Sequence, residues 1–231
     1  MGCDIHFYVE TRDQDVNLWQ PADKWEKDED GSMRVDYENS FYNDRSYNLF
    51  AILANVRNGQ GFAGVDAGSE FVPIDQPRGL PDDVCENIKL LSDYWDCDGH
   101  SHSYFTVGDL IKFDWTQTTN LRGHIDVITL LEWRRSGSIF PTNWCDGIGG
   151  PNINNISMPE AGVIVDKVVK DHGWRGAEVE LKKAGHKNTY VQAEWEVTYY
   201  QSCKSFWAET MPRLFALGDP QDVRIVFWFD N

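Results

Sequence analysis

The stretch Val223–Phe229, which reads Val-Arg-Ile-Val-Phe-Trp-Phe, constrains the fold of this chain most. It is short, rich in β-branched and aromatic residues, and set off by the turn Gly218-Asp219-Pro220. A strand of this composition needs neighbours and cover, so it belongs in the middle of a sheet. Two other stretches alternate with the period of a strand. In residues 3–11, Cys3, Ile5, Phe7 and Val9 alternate with Asp4, His6, Tyr8 and Glu10. In Tyr190–Tyr200, Val191, Ala193, Trp195, Val197 and Tyr199 alternate with Gln192, Glu194, Glu196, Thr198 and Tyr200. The polar side of residues 3–11 reads with even weight as a functional face or as a solvated one. Between the last two strands, Ser205–Leu217 is amphipathic, with Pro212 kinking it or sitting in its first turn. A strand at the start and a strand–helix–strand run at the end point to an α+β fold on a mainly antiparallel sheet. The N- and C-terminal strands are its expected neighbours.

Helical spacing predicts further elements. Asn43-Asp44-Arg45-Ser46 introduces a helix from Tyr47 to about Val56, with Asp44 or Ser46 as cap. A second helix is expected from Pro81 or Asp82 to about Tyr94, and a third, Val107–Phe113, behind Thr106 with Asp109 completing a capping box. His124–Arg135 reads as another helix, while Val163–Lys170 fits helix or strand equally. The acidic segment 13–40 and the Gly/Pro-rich segment 58–81 read as loop insertions in one domain spanning 1–231. Long irregular segments of this kind serve as lids or binding loops when they are not simply mobile.

Composition narrows the partners. With 37 Asp and Glu against 21 Lys and Arg, the formal charge is −16. That disfavours long nucleic acid and anionic membrane, but leaves room for a small anion held by local arginines. No run approaches the about 18 apolar residues of a membrane helix. The five cysteines are scattered, with no Cys-x-x-Cys pair and no apolar leader before them. Reduced thiols in a cytoplasm are therefore expected. Self-association as a homo-oligomer stays open.

The densest chemistry lies in Asp96-Cys97-Asp98-Gly99-His100-Ser101-His102-Ser103. A His-x-His pair in an extended segment is expected to aim both imidazoles at one face, and Gly99 permits a sharp turn or a close approach beside them. Should this stretch meet Asp4 and His6, the residues Asp4, His6, Asp98, His100 and His102 form a candidate site for a divalent metal. Without metal, His100 and His102 are the candidate acid–base catalysts. Arg45 and Tyr47, at a helix start, and Arg78, in Pro77-Arg78-Gly79, are candidate ligand contacts, with Tyr8 beside His6. The plainer readings are hydrogen-bonded loop histidines, ordinary surface arginines, and inert cysteines at Cys3 and Cys97.

Asp4-Ile5-His6 and Gly99-His100-Ser101-His102 resemble two pieces of the metal-dependent phosphoesterase pattern. That family's middle motifs, Gly-Asp-x-x-Asp and Gly-Asn-His-Asp/Glu, do not occur here, so its fold is not expected. The opening Met1-Gly2-Cys3-Asp4-Ile5-His6, with Asn48–Gly59, Pro77–Pro81 and Asp98–Ser103, resembles a group of uncharacterised phage and prophage proteins over about the first 115 residues. The group itself implies no established activity. Phage proteins of this size are often counter-defence factors that cleave or sequester nucleotide alarm signals, which would place the protein in the cytoplasm of a bacterial host. The expected function is hydrolysis of a small phosphate-bearing ligand, a cyclic nucleotide above all, by metal- or histidine-assisted phosphodiester cleavage. The alternatives are a non-catalytic sponge for the same ligand and an acidic protein–protein inhibitor of host defence.

Overall fold

The structure, a computed structural model, describes residues 2–29, 31–58, 71–145 and 147–230. The glycine-rich stretch 59–70, expected to form a binding loop, lies outside the described residues. In chain order the elements are β1 (Asp4–Asp13), β2 (Leu18–Pro21), β3 (Trp25–Lys27), β4 (Met33–Val35), α1 (Tyr47–Ala54), α2 (Glu86–Trp95), β5 (His100–Thr106) and α3 (Val107–Lys112). They continue with β6 (Thr118–Asp126), α4 (Val127–Ser136), β7 (Asn154–Ile156), α5 (Met158–Lys183), β8 (Thr189–Thr198), α6 (Tyr199–Ser202), α7 (Met211–Phe215) and β9 (Val223–Asp230). The fold is α+β with mainly antiparallel sheets. Its packing divides the chain into two units, one of residues 2–58, 71–117 and 198–230, the other containing 118–197. Among the described residues no helix is long and apolar enough to cross a membrane.

The first unit is built on the antiparallel sheet β2-β1-β9-β5. Its central strand β9 pairs with β1 on one side and β5 on the other, as its apolar composition demands. Ile225, Phe227 and Phe229 face a core that contains Phe7, Val9, Leu49, Phe50, Leu53 and Phe105. Val226 and Trp228 face the other way, against Tyr8 and Ile88, with Trp25 and Leu91 around them. Both faces are therefore covered, and the polar side of β1 is not the solvated surface it resembles in sequence. Tyr8 is buried and Glu10 is fully buried.

Local sequence sets most element ends. Ser46 caps α1 by accepting the Leu49 N–H (3.4 Å), and Asn55 closes it in the left-handed conformation (φ 56°). Thr106 and Asp109 exchange hydrogen bonds of 3.0 Å in a complete capping box at α3. Helix α2 starts at Glu86 rather than at Pro81 or Asp82, because the Cys85 N–H is given to Glu10 Oε1 (2.7 Å). The segment 13–40 carries two antiparallel pairings, β1 with β2 and β3 with β4. Ser205–Leu217 forms a π-turn over Phe206–Thr210 followed by α7, with Pro212 in the first turn of α7.

In the second unit, order β6-β8-β7, β7 runs parallel to β8. His124 lies in β6 and not at the start of a helix. Thr119, Leu121, Gly123 and Ile125 alternate inward, and only then does Asp126 cap α4 by accepting the Thr129 N–H (2.6 Å). Ile125 completes the strand's period of two and also falls in helical register with Ile128, which is why spacing alone misplaces the junction. The stretch 163–170 is helical, inside α5, which is interrupted at Gly173 (φ 66°, ψ 167°). At Gly123 a Cβ would stand 2.7 Å from Trp144 Cε3, so only glycine lets Trp144 pack edge-on to Trp195 (centroids 5.4 Å).

Two buried polar groups tie the first unit together. Arg224 Nε donates to Glu10 Oε2 (2.5 Å), and its other nitrogens reach Asp83 Oδ1 (2.7 Å) and the Asp83 carbonyl (3.1 Å). The guanidinium lies 4.0 Å from the centroid of the Trp19 ring. Removing one partner leaves the other charge buried and unpaired, so Arg224→Met is expected to cost about 3–5 kcal/mol in urea unfolding. Adding Glu10→Leu to it should recover part of that loss. The second group is Asp23. Its Oδ2 accepts the Val9 N–H (2.6 Å), while buried Oδ1 has no partner among the described residues. Burial pushes this carboxyl up to about 7. From about pH 4, where the unfolded carboxyl ionises, up to 7, the folded chain keeps a proton that the unfolded chain has released, so stability falls as pH rises. Asp23→Asn keeps an acceptor for Val9. It is expected to flatten that slope and to gain roughly 1–3 kcal/mol at pH 8, read from urea midpoints across pH.

Candidate functional site

β1 and β5 begin, and β9 ends, at the same end of the first sheet. There Asp4 pairs with Asp230, His6 with Trp228, and His100 with Phe229. Because cross-strand partners share a face, His6 lies stacked beside the Trp228 indole (centroids 5.2 Å, 15°). His102 stacks beside the same indole from β5 (5.4 Å, 19°), so two imidazoles flank one tryptophan across three strands. Trp95, from the last turn of α2, covers His6 at 4.3 Å, and Ser92 Oγ, one turn earlier, lies 2.9 Å from His102 Nε2. Gly99 has an extended backbone, and its role is close approach. A Cβ there would stand 3.2 Å from Trp95 Cβ and 3.3 Å from Trp228 Cδ1.

His6 Nε2 is 3.2 Å from Asp230 Oδ2. In the tautomer that donates to the carboxylate, its Nδ1 is left as a base. Burial lowers the His6 pKa, and the hydrogen bond and charge of Asp230 oppose that shift. The His102 pKa is also lowered, first by burial and then by repulsion from His100 and His6. Both imidazoles are therefore neutral at pH 7 and able to accept a proton.

The two histidines of His-x-His do not share a face. The register jumps from His100↔Phe229 to Ser103↔Phe227, a β-bulge in which Ser101 takes φ 55°. This extra residue sets His100 beside Phe229 (6.1 Å) and His102 beside Trp228, on opposite sides of the sheet. Ser101 Oγ lies 3.1 Å from His100 Nδ1.

The other sequence candidates divide. Asp4 and Arg45 are at this end, joined by two hydrogen bonds of 2.8 and 2.6 Å. Tyr47 Oη accepts the Cys3 N–H (3.3 Å), and Arg57 donates to the Gly2 carbonyl (3.1 Å). Asp98 is exposed in the 3-10 turn that leads into β5. Arg78 is directed elsewhere. Its guanidinium binds Asp75 (3.0 Å) and the Tyr104 carbonyl (3.3 Å), lies 3.8 Å from Asp109, and sits over Phe105. The backbone around it straps the edge of β5, with the Gly79 N–H on the His102 carbonyl (2.8 Å). Tyr8 is a core ring stacked between Trp25 (5.3 Å) and Trp228 (5.2 Å), not a ligand contact, and burial raises its hydroxyl pKa. Among the described residues no group of three His, Cys, Asp or Glu side chains is disposed to hold a metal ion. Both Asp4 oxygens are turned to Arg45.

Sequence reasoning did not find Asp230, Trp228, Trp95 or Ser92. The only signal for Asp230 and Trp228 is the register of β9 against β1, which the two sequences do not carry separately. No protein-family model, no curated protein and no solved structure matches this chain.

A group with a depressed folded pKa contributes stability that is present above its unfolded value and lost as pH falls through the folded one. Stability should therefore drop as pH falls below about 6.5. His6→Phe keeps a ring between Trp95 and Trp228 and removes the titrating group. It is expected to make the urea midpoint less pH-dependent between pH 7 and 5 than in the parent.

Proposed function

We propose that this protein cleaves a phosphodiester bond in a small nucleotide-type ligand by histidine acid–base catalysis at this end of the sheet. The observation that carries the reading is the His6–Asp230 pair set beside His102 on one face of the sheet, with the Arg45–Asp4 ion pair at the same strand ends. A carboxylate that fixes the tautomer of a neutral imidazole makes it a competent proton acceptor at pH 7. The His6 side chain keeps 16% of its exposure and Asp230 20%, so the pair is partly open to solvent. Arg45 is half-exposed and bound to Asp4 in a fork that suits two phosphate oxygens equally well. A net charge of −16 repels anions at long range, so a phosphate here depends on that local guanidinium.

In this reading His6 removes the proton of the attacking oxygen and Asp230 stabilises the imidazolium that forms. The leaving oxygen then takes the proton that His6 accepted, and His102, with Ser92 on its Nε2, offers its other ring nitrogen as a hydrogen-bond donor to the phosphate. A metal-assisted version would use Asp4 and the same histidines, and it requires Asp4 to leave Arg45.

The test incubates purified protein with a panel of cyclic dinucleotides and cyclic ADP-ribose isomers, with and without divalent metal. Chromatography follows before and after heat denaturation. New products are expected, with turnover reduced about 10²–10⁴-fold in His6→Gln and His102→Gln. Depletion of a ligand that heating restores intact would replace catalysis by sequestration at the same residues. A panel neither bound nor cut would reject the reading and favour a protein partner for the acidic surface.

A further inference from the structure

We propose that Ser101 is a covalent nucleophile, with His100 as its base, for a phosphoryl group held at this strand end. The proposal rests on the phosphodiester reading above and changes its route: the attacking oxygen is that of Ser101 and the proton acceptor is His100 in place of His6. Ser101 Oγ lies 3.1 Å from His100 Nδ1, within reach of a direct proton transfer when the imidazole carries its own proton on Nε2.

Backbone conformation marks the same residue independently. Five described non-glycine residues have positive φ: Asn17, Asn55, Arg57, Asp96 and Ser101. The first four lie in turns or helix ends, whereas Ser101 alone lies inside a strand. Glycine would adopt φ 55° there without steric cost, and asparagine at less cost than serine. A hydroxyl kept at a strained position points to a use for that hydroxyl. The bulge supplies the means, since it takes Ser101 out of the β5–β9 register between His100 and Ser103. Ser92, also in contact with a histidine, is buried on the inner face of α2 at 7% exposure, while Ser101 is half-buried.

The chemistry balances without a further reactant other than water. Ser101 Oγ attacks phosphorus as its proton passes to His100 Nδ1. The bond from phosphorus to the departing oxygen breaks, and that oxygen takes the proton from His100. Water then attacks the phosphoseryl group and gives a proton to His100. The bond from phosphorus to Oγ breaks, and the same proton returns to Ser101. The net reaction is hydrolysis of a diester to a monoester and an alcohol.

The experiment treats the full chain with an alkyl fluorophosphonate, which phosphonylates activated serines with loss of fluoride. Intact mass and peptide mapping then locate the adduct. One adduct is expected, on Ser101, absent from Ser101→Ala and Ser101→Gly, slowed at least about 100-fold in His100→Gln, and retained in His6→Gln. Ser101→Gly relieves the positive φ, so its unfolding midpoint should match or exceed that of the parent and show that loss of the adduct is not loss of fold. No adduct, an adduct on another residue, or one at Ser101 indifferent to His100 overturns the proposal. The two readings fail separately. Nucleotide turnover that persists in Ser101→Gly removes the covalent step and leaves the hydrolase. An adduct on Ser101 with no nucleotide cut removes the nucleotide substrate and keeps the nucleophile.

Discussion

Glu10 and Arg224 carry opposite charges into the interior of the first unit, and much of that unit's architecture follows from satisfying them. The pair links β1 to β9, the two strands that bring the ends of the chain together. The second oxygen of Glu10 takes the Cys85 N–H and so sets where α2 begins. The remaining nitrogens of Arg224 hold Asp83, one turn before that helix, and its flat face lies against Trp19 from β2. A buried ion pair gains little stability over apolar residues of the same size, but it tolerates few alternative arrangements because each wrong one strands a charge. Here it specifies both the register of two strands and the position of a helix above them.

That helix has a consequence for chemistry. With α2 placed over the β1–β9–β5 surface, its last turns deliver Ser92 and Trp95 onto His102 and His6. The imidazoles become neutral bases because they are partly withdrawn from water, and the Asp230 carboxylate limits how far His6 is shifted. The aromatic stack His6–Trp228–His102 is thus both core and candidate site: its buried side holds the sheet to the helix, and its two histidines are only partly buried.

The apolar character of β9, the α1 helix and the capping box at α3 are legible in the chain because each rests on neighbours within a few residues, whereas the pairing of the first and last strands follows only from the expected fold class. The site is legible only in part. His6, His100, His102, Asp4, Arg45 and Tyr47 do come to one end of the sheet, since strand ends that pair must gather what they carry. Arg78 and Tyr8 do not join them. A guanidinium goes to the nearest carboxylates, Asp75 and Asp109, and a phenol on a twice-covered sheet becomes core. The junction at His124 shows the same limit in reverse, where one isoleucine satisfies two periodicities and only the paired strand decides between them.

Local order in the sequence determined the strands β1, β8 and β9, the helices α1 and α3 with their caps, and that two histidine-bearing stretches are extended. Tertiary structure alone decided how those stretches meet. Strand register made Trp228 and Asp230 the partners of His6 and Asp4, residues more than two hundred positions apart. A single extra residue at Ser101 turned His100 and His102 to opposite faces, against the alternation that their spacing implies. The physical reason is that period and propensity are properties of adjacent residues. Register, bulges and the withdrawal of a side chain from water depend on what the rest of the chain places opposite.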